Sequence, residues 1–167
     1  MTKDHNVGAM QTTVPRGRCP TIGLLNWSVG DTMGQGMWRG VVDSARQRGA
    51  SSICFLVDPL QEYADLDALS NTLYGLPSAN NIDGLIMWTA LTQNLAAAQV
   101  DQLYERYESI PIVNVGGVRE GIVSVLADNY QGMRDELEHL VQDHDYRCIV
   151  FVRGPETDAE ARDRYRA

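Results

Sequence analysis

The sequence predicts an α/β protein built on a doubly wound, three-layer parallel sheet. Three observations lead there. Short apolar runs alternate with amphipathic stretches from Thr21 to the C-terminus. The runs are apolar on both faces, as strands covered from both sides are. The stretches between them have helical period, so each reads as a crossover joining parallel strands. A length of 167 residues suits one domain with a full core.

Residues 1–20 show no apolar period and form a flexible lead. "TIGLLNW" (21–27) is the first strand, and "TMGQGMWRGVVDSARQRG" (32–49) is a helix with Met33, Met37, Val41 and Ala45 along one stripe, ending at Gly49. Trp38, inside that helix, is assigned to packing. "SSICFLVD" (51–58) is the second strand, and residues 66–74 form a weaker helix before a Gly-Leu-Pro break. "IDGLIMWTA" (82–90) is the third strand and "LAAAQVDQLYERYES" (95–109) a helix whose Tyr104 and Tyr107 belong to its surface or core. "IPIVNVGG" (110–117) is the fourth strand, "VSVLADN" (123–129) a short extra one, "YQGMRDELEHLVQDH" (130–144) a helix and "CIVFVRG" (148–154) the fifth strand. The chain then turns at Gly154-Pro155 and opens a charged helix.

Composition narrows the function. With 44% hydrophobic and 22% charged residues, the chain is an ordinary globular sequence, and no apolar run approaches the roughly 18 residues of a membrane span. The N-terminus lacks the apolar stretch of a secretory signal, so the chain is expected to stay in the cytoplasm unless a leader has been removed. A net charge of −8 argues against direct binding to nucleic acid phosphates. Lys3 is the only lysine, which excludes a P-loop, a Schiff base and the lysine-dependent site of a response-regulator receiver. Cys19, Cys54 and Cys148 form no CxxC pair, and with Cys54 and Cys148 inside apolar runs they read as buried free thiols. His139 and His144 are five residues apart, not the three or four that put two metal ligands on one helical face. The turn "VGDTMGQG" (29–36) matches neither GxGxxG nor GxxxxGK[ST], and Asp31 gives it the wrong charge for a phosphate. No nucleophile elbow, general base or metal cluster stands out, so the segment reads as a binding module with no cofactor and no catalytic residue.

In open α/β sheets ligands bind beyond the carboxyl ends of the strands. Here those ends and the helix starts near them carry the flat faces of Trp27 and Trp88 and the hydrogen-bonding groups of Asp31, Asp128, Asn129, Gln131 and Arg164. That mixture suits a small polyhydroxylated ligand. Asp31, Asp128 and Asn129 also stand where helix N-caps are required, and capping alone would account for them.

The order of segments resembles the ligand-binding core of the LacI/GalR repressors and their periplasmic sugar-binding relatives. The matching stretches are "TIGLL", "RGVVDSARQRG", "IDGLIMW", "IPIVNVGG", "VLADNYQG" with "EHL" beyond it, and the closing "YRCIVFVRGPETDAEARDRYRA". The resemblance spans nearly everything from Pro20 to Ala167. It implies a periplasmic-binding-protein-like fold of two lobes with a small polar ligand, such as a sugar, held between them. Residues 21–167 then correspond to the first lobe, with the second missing. The resemblance further implies that Arg164 reaches ligand hydroxyls, that Asp31, Met33 and Gly34 frame the pocket, and that Asp128 and Asn129 form a corner with Gln131 beside them. Met33 and Gly34 stand where the family often has an aromatic pair, and Gly116 and Gly117 where it often has Asp-Arg. Sugar stacking and one charged contact are therefore not implied, and the ligand need not be a simple hexose. The repressors' N-terminal helix-turn-helix has no counterpart in residues 1–20. The stretch from Val125 to Glu156 is most similar to cytoplasmic input modules fused ahead of histidine kinase or diguanylate cyclase domains. That likeness implies a sensor whose closure drives an output domain, the alternative being the effector-binding lobe of a transcription regulator without its DNA-binding part. It also implies self-association through apolar helix faces.

Overall fold

The computed structural model describes residues 18–58, 60, 73–156 and 158–167. Five strands, β1 (Thr21–Asn26), β2 (Ser51–Leu56), β3 (Gly84–Trp88), β4 (Ile112–Val115) and β5 (Val123–Val125), form one sheet in the order β2-β1-β3-β4-β5. All pairings are parallel, with Leu24 in register with Cys54 on one side and Ile86 on the other. The helices are α1 (Thr32–Gln47), α2 (Ala97–Arg106), α3 (Asn129–Gln142) and α4 (Ala159–Arg166).

Alternation along the strands divides the sheet into two faces. Leu25, Phe55, Leu85 and Met87 point to the face where α2 contributes Leu103 and Tyr104 and its C-cap contributes Tyr107, and this cluster is the core. Leu24 faces the other way and is also fully buried, under α1. The core is stitched by phenols. Tyr107 Oη donates to the Tyr74 carbonyl at 2.7 Å, Tyr74 Oη to the Asp58 carbonyl at 2.6 Å, and Tyr104 Oη to Asn114 Oδ1 at 2.8 Å. Tyr104 and Tyr107 are thus core residues, and burial raises both phenol pKa values. Trp38 is half-buried, as packing requires.

The ends of α1 follow local rules. Asp31 Oδ1 accepts from the Gly34 N–H at 2.7 Å, which makes it the N-cap. At the other end Gly49 takes φ +66°, while its N–H bonds to the Arg46 carbonyl and that of Ala50 to the Ala45 carbonyl. A left-handed residue with this bond pair is the Schellman ending that glycine favours.

Three sequence-based expectations need correction or limits. The thiols are not all buried: Cys54, in β2, is half-buried, while Cys19 and Cys148 are exposed, Cys148 because the run it opens has no sheet to cover it. Residues 148–154 form no strand: the fifth strand is Val123–Val125, which takes the place beside β4. The physical reason is exposure without a partner. Val150 and Val152 are 85% and 89% exposed, and an apolar run becomes a strand only where neighbours satisfy its backbone and cover its side chains. The helix expected at 66–74 lies outside the described residues up to Thr72, and Leu73–Gly75 is a 3₁₀ turn. Most of the N-terminal lead, residues 1–17, also lies outside them.

The packing changes character after β4. Among the described residues, every buried hydrophobe lies at or before Ile110 except Ala161. Helix α3 buries none of its side chains and packs against α4 rather than on the sheet. The segment before α4 joins that group: Arg153 lies over the Tyr165 ring at 4.3 Å, and a Cβ on Gly154 would stand 2.9 Å from Ala161 Cβ.

Candidate functional site

A cleft of about 490 Å³ opens beyond the carboxyl ends of β3 and β4. One wall is the sheet side, with Trp88, Thr89, Gln93, Asn94, Gly116 and Gly117; the other is the turn into α4, with Pro155, Asp158, Ala159 and Glu160. The sheet wall is shaped by two glycines. Gly116 has φ +90°, and a Cβ on Gly117 would meet Thr89 Oγ1 at 2.7 Å. Without side chains there, Thr89 can turn its hydroxyl onto the Val115 carbonyl at 3.0 Å. The same absence lets Glu160 Oε1 and Trp88 Nε1 approach within 3.5 and 3.6 Å of where a Gly116 Cβ would be.

The residues singled out from sequence fall into three groups. Trp27 and Trp88 meet with ring centroids 4.7 Å apart at 56°, so two strand ends present one aromatic surface, and Trp88 reaches the cleft. Asp128, Asn129, Gln131 and Arg164 gather at the junction of α3 and α4. Asp128 accepts from the Gln131 N–H at 2.9 Å as the N-cap of α3, while the Gln131 amide donates to Asp135. Arg164 donates to Asn129 Oδ1 and lies 3.8 Å from Glu160 and 4.0 Å from Asp158. Arg164 thus stands one turn behind the carboxylate that lines the cleft. The third group is the loop after β1. Asp31 caps α1, Met33 is 65% exposed, and Gly34 is buried against the loop. None of these three lines the cleft beyond β3 and β4.

Sequence reasoning missed Asp158 and Glu160 as wall residues, together with Gln93 and Asn94. Asp158 had a readable signal, since it caps α4 by accepting from the Glu160 N–H at 2.9 Å. Gln93 and Asn94 follow a 3₁₀ turn, Thr89–Thr92, that continues straight from β3. No periodic pattern announces such a turn.

Electrostatics at the first loop are set by hydrogen bonds. The Gly34 N–H, then the Ser28 hydroxyl, hold the Asp31 carboxyl below its ordinary value of 3.8. At the far end of the sheet the Thr21 N–H, with Arg18 after it, does the same for Asp83. A carboxyl with a lowered folded pKa adds stability that is present above its unfolded value and is lost as pH falls through the folded value. Stability should therefore drop as pH falls below 3.8. Asp83→Asn is expected to flatten that acid limb, and urea melts across the acid range check it. An unchanged limb would remove Asp83 from the account.

Among the described residues no group of three or more His, Cys, Asp or Glu is placed to hold a metal ion. No helix among them is long and apolar enough to cross a membrane.

No family model matches the chain, and no curated protein matches it by sequence. Solved structures do match. The Lac repressor dimer bound to operator and the anti-inducer ONPF superposes with TM-score 0.64 at 19% identity, over 90% of this chain and 50% of that one. The trehalose repressor from Escherichia coli gives 0.65 at 14% identity, over 89% and 53%. A periplasmic binding protein/LacI transcriptional regulator from Alkaliphilus metalliredigens, complexed with D-xylulofuranose, gives 0.61 at 21% identity, over 87% and 49%. This chain has the fold of the periplasmic-binding-protein-like cores of LacI-type regulators, and it spans about half the length of the structures it matches.

Proposed function

We propose that this chain is part of a sensing module that holds a small polar, polyhydroxylated ligand between two lobes. The observation that carries this reading is the cleft itself, whose two walls belong to differently packed parts of the chain. The sheet with α1 and α2 has its own core, whereas α3, the 148–154 segment and α4 pack among themselves with almost nothing buried. In place of the expectation that residues 21–167 are all first lobe, this reading ends the first lobe near Asp128, and the elements from α3 onward open the second. The exposed apolar run 149–152 is the strand that the rest of the second lobe would pair and cover.

Binding rather than catalysis is the proposed activity, with the cytoplasm as its setting. Ligand closes the lobes, and closure shifts an equilibrium that an output domain reads. A histidine kinase or diguanylate cyclase is the output domain we favour from the sequence. The second reading, the effector lobe of a transcription regulator, is favoured by the Lac and trehalose repressors among the structural matches.

The experiment is calorimetric titration of the two-lobed protein with a panel of pentoses, hexoses and their phosphates. Saturable binding is expected, and Arg164→Ala and Asp128→Ala should each weaken it by about 1–3 kcal/mol, the scale of a lost buried polar contact. Absence of saturable binding across the panel counts against the polyhydroxylated ligand class, and unchanged affinity in both variants removes those residues from the site. Turnover of the ligand would point to an enzyme. Operator binding altered by the ligand would select the regulator reading.

A further inference from the structure

In a regular helix a spacing of five residues keeps two histidines off one face, but α3 ends between His139 and His144. Its last residue is Gln142, with Asp143 as the cap. Beyond the cap the chain bends back at Asp145, which takes φ +54°, and the Tyr146 N–H reaches the Leu140 carbonyl at 3.1 Å. Apart from glycine, it is chiefly Asn and Asp that adopt this left-handed conformation as single residues. The bend lays His144 over the last turn of the helix. His144 Nε2 then stands 3.1 Å from His139 Nε2, with the rings edge to face at 4.7 Å.

Each ring is held by a second contact. Asp143 Oδ2 lies 2.6 Å from His139 Nδ1, so Nδ1 carries the proton and His139 Nε2 presents a lone pair. His144 donates its Nε2 proton to that lone pair, and its ring stacks on Tyr146 with centroids 5.6 Å apart at 15°. Two ring nitrogens thus converge on one point at the surface. At a metal-nitrogen distance of about 2.0–2.1 Å, nitrogens 3.1 Å apart subtend about 100° at a shared ion, between the square and the tetrahedral angle. A carboxylate on the far nitrogen is the usual orienting partner of a histidine ligand.

We propose that His139 and His144 bind a late first-row divalent metal ion, of the zinc and copper class, through their Nε2 atoms, with Asp143 orienting His139. Imidazole nitrogen suits these ions, whereas magnesium and calcium take oxygen ligands. On uptake the Nε2 proton of His144 moves to its Nδ1 through solvent. The bond between the two rings is lost, two metal-nitrogen bonds form, and no proton is released overall. Among the described residues no third His, Cys, Asp or Glu is placed to join the two ligands, so the remaining positions fall to water or to a donor from another molecule. The site does not depend on the ligand reading. It sits at the opposite end of α3 from the Asp128 cap, about 20 Å along the helix, and none of its residues lines the cleft.

Calorimetric titration of the full chain with zinc chloride tests it, with wild type, His139→Gln, His144→Gln and Asp143→Asn side by side and magnesium chloride as the control. Wild type is expected to take up zinc and not magnesium. Affinity should fall about tenfold or more in either histidine variant, which loses one of two ligands, and about tenfold in Asp143→Asn, which loses the orienting partner. All three side chains are exposed, so the variants should melt like wild type without metal, while zinc should raise the melting temperature of wild type alone. His5, Cys19 and Cys148 stay in every variant, so zinc held by them shows as binding that no substitution changes. A wild-type chain that takes up no zinc overturns the proposal, as does zinc bound equally tightly by both histidine variants. Unchanged affinity in Asp143→Asn overturns the orienting role of that carboxylate.

Discussion

Replacing Tyr107 by alanine is expected to remove about 3–5 kcal/mol of folding stability, the cost of deleting a buried aromatic ring. Its side chain is fully buried among Leu85, Leu103 and Ile110. It also does a second job, since its hydroxyl bonds the Tyr74 carbonyl at 2.7 Å and so ties the connection between β2 and β3 to the end of α2. A domain of this size has roughly 5–15 kcal/mol in all, so Tyr107→Ala should lose a large share of its stability and unfold at markedly lower urea than wild type. Tyr107→Phe separates the two contributions: it keeps the ring and removes the hydroxyl's bond to the Tyr74 carbonyl, for about 0.5–1.5 kcal/mol. Urea unfolding of the three proteins reads both numbers. Equal stability of Tyr107→Phe and wild type would mean that the hydroxyl bond contributes nothing net.

How much of this was legible in the sequence depends on whether a feature is local. The strands at 21–27, 51–58, 82–90 and 110–117 were legible because both faces of each are apolar, and α1 because its stripe runs from an acidic cap to Gly49. The run 148–154 looked the same on paper, with Ile149, Val150, Phe151 and Val152 in a row. It is not a strand because strand formation is settled by neighbours elsewhere in the chain, which no window of residues contains. The site divides in the same way. Asp128 and Asp31 were readable as caps, and as caps they stand. The meeting of Trp27 with Trp88, residues 61 apart in sequence, follows from β1 and β3 being neighbours in the sheet. In the sequence Thr89 is simply the end of a strand, and Gly116 and Gly117 are a strand end that departs from the family's Asp-Arg. Their role in the cleft is one of mutual clearance, which no single residue displays.

Gly34→Ala is expected to destabilise the fold and shift the loop after β1, although alanine is the better helix former. A Cβ at position 34 would lie 2.0 Å from the Ser28 carbonyl oxygen and 2.9 Å from its carbon, both backbone atoms that no rotamer change can move away. The loop is held there from two sides. The Asn26 amide donates to the Ser28 carbonyl at 2.7 Å, and the Asp31 carboxylate receives the Gly34 N–H. Relief therefore requires the first turn of α1 to lift from the strand, lengthening both bonds. Overpacking of this kind costs about 1–3 kcal/mol, against a gain of about 1 kcal/mol in helix propensity. Gly36→Ala is the matched control, since a Cβ there meets nothing within 4 Å. It should stabilise the monomer by about 0.4–1 kcal/mol. The same substitution two residues apart in one helix should thus change stability in opposite directions. Urea melts of the two variants beside wild type would show it. If Gly34→Ala proved as stable as Gly36→Ala, the close approach of α1 to the Ser28 loop would not be what fixes glycine at position 34. The loop could then not be regarded as a rigid frame beside Trp27.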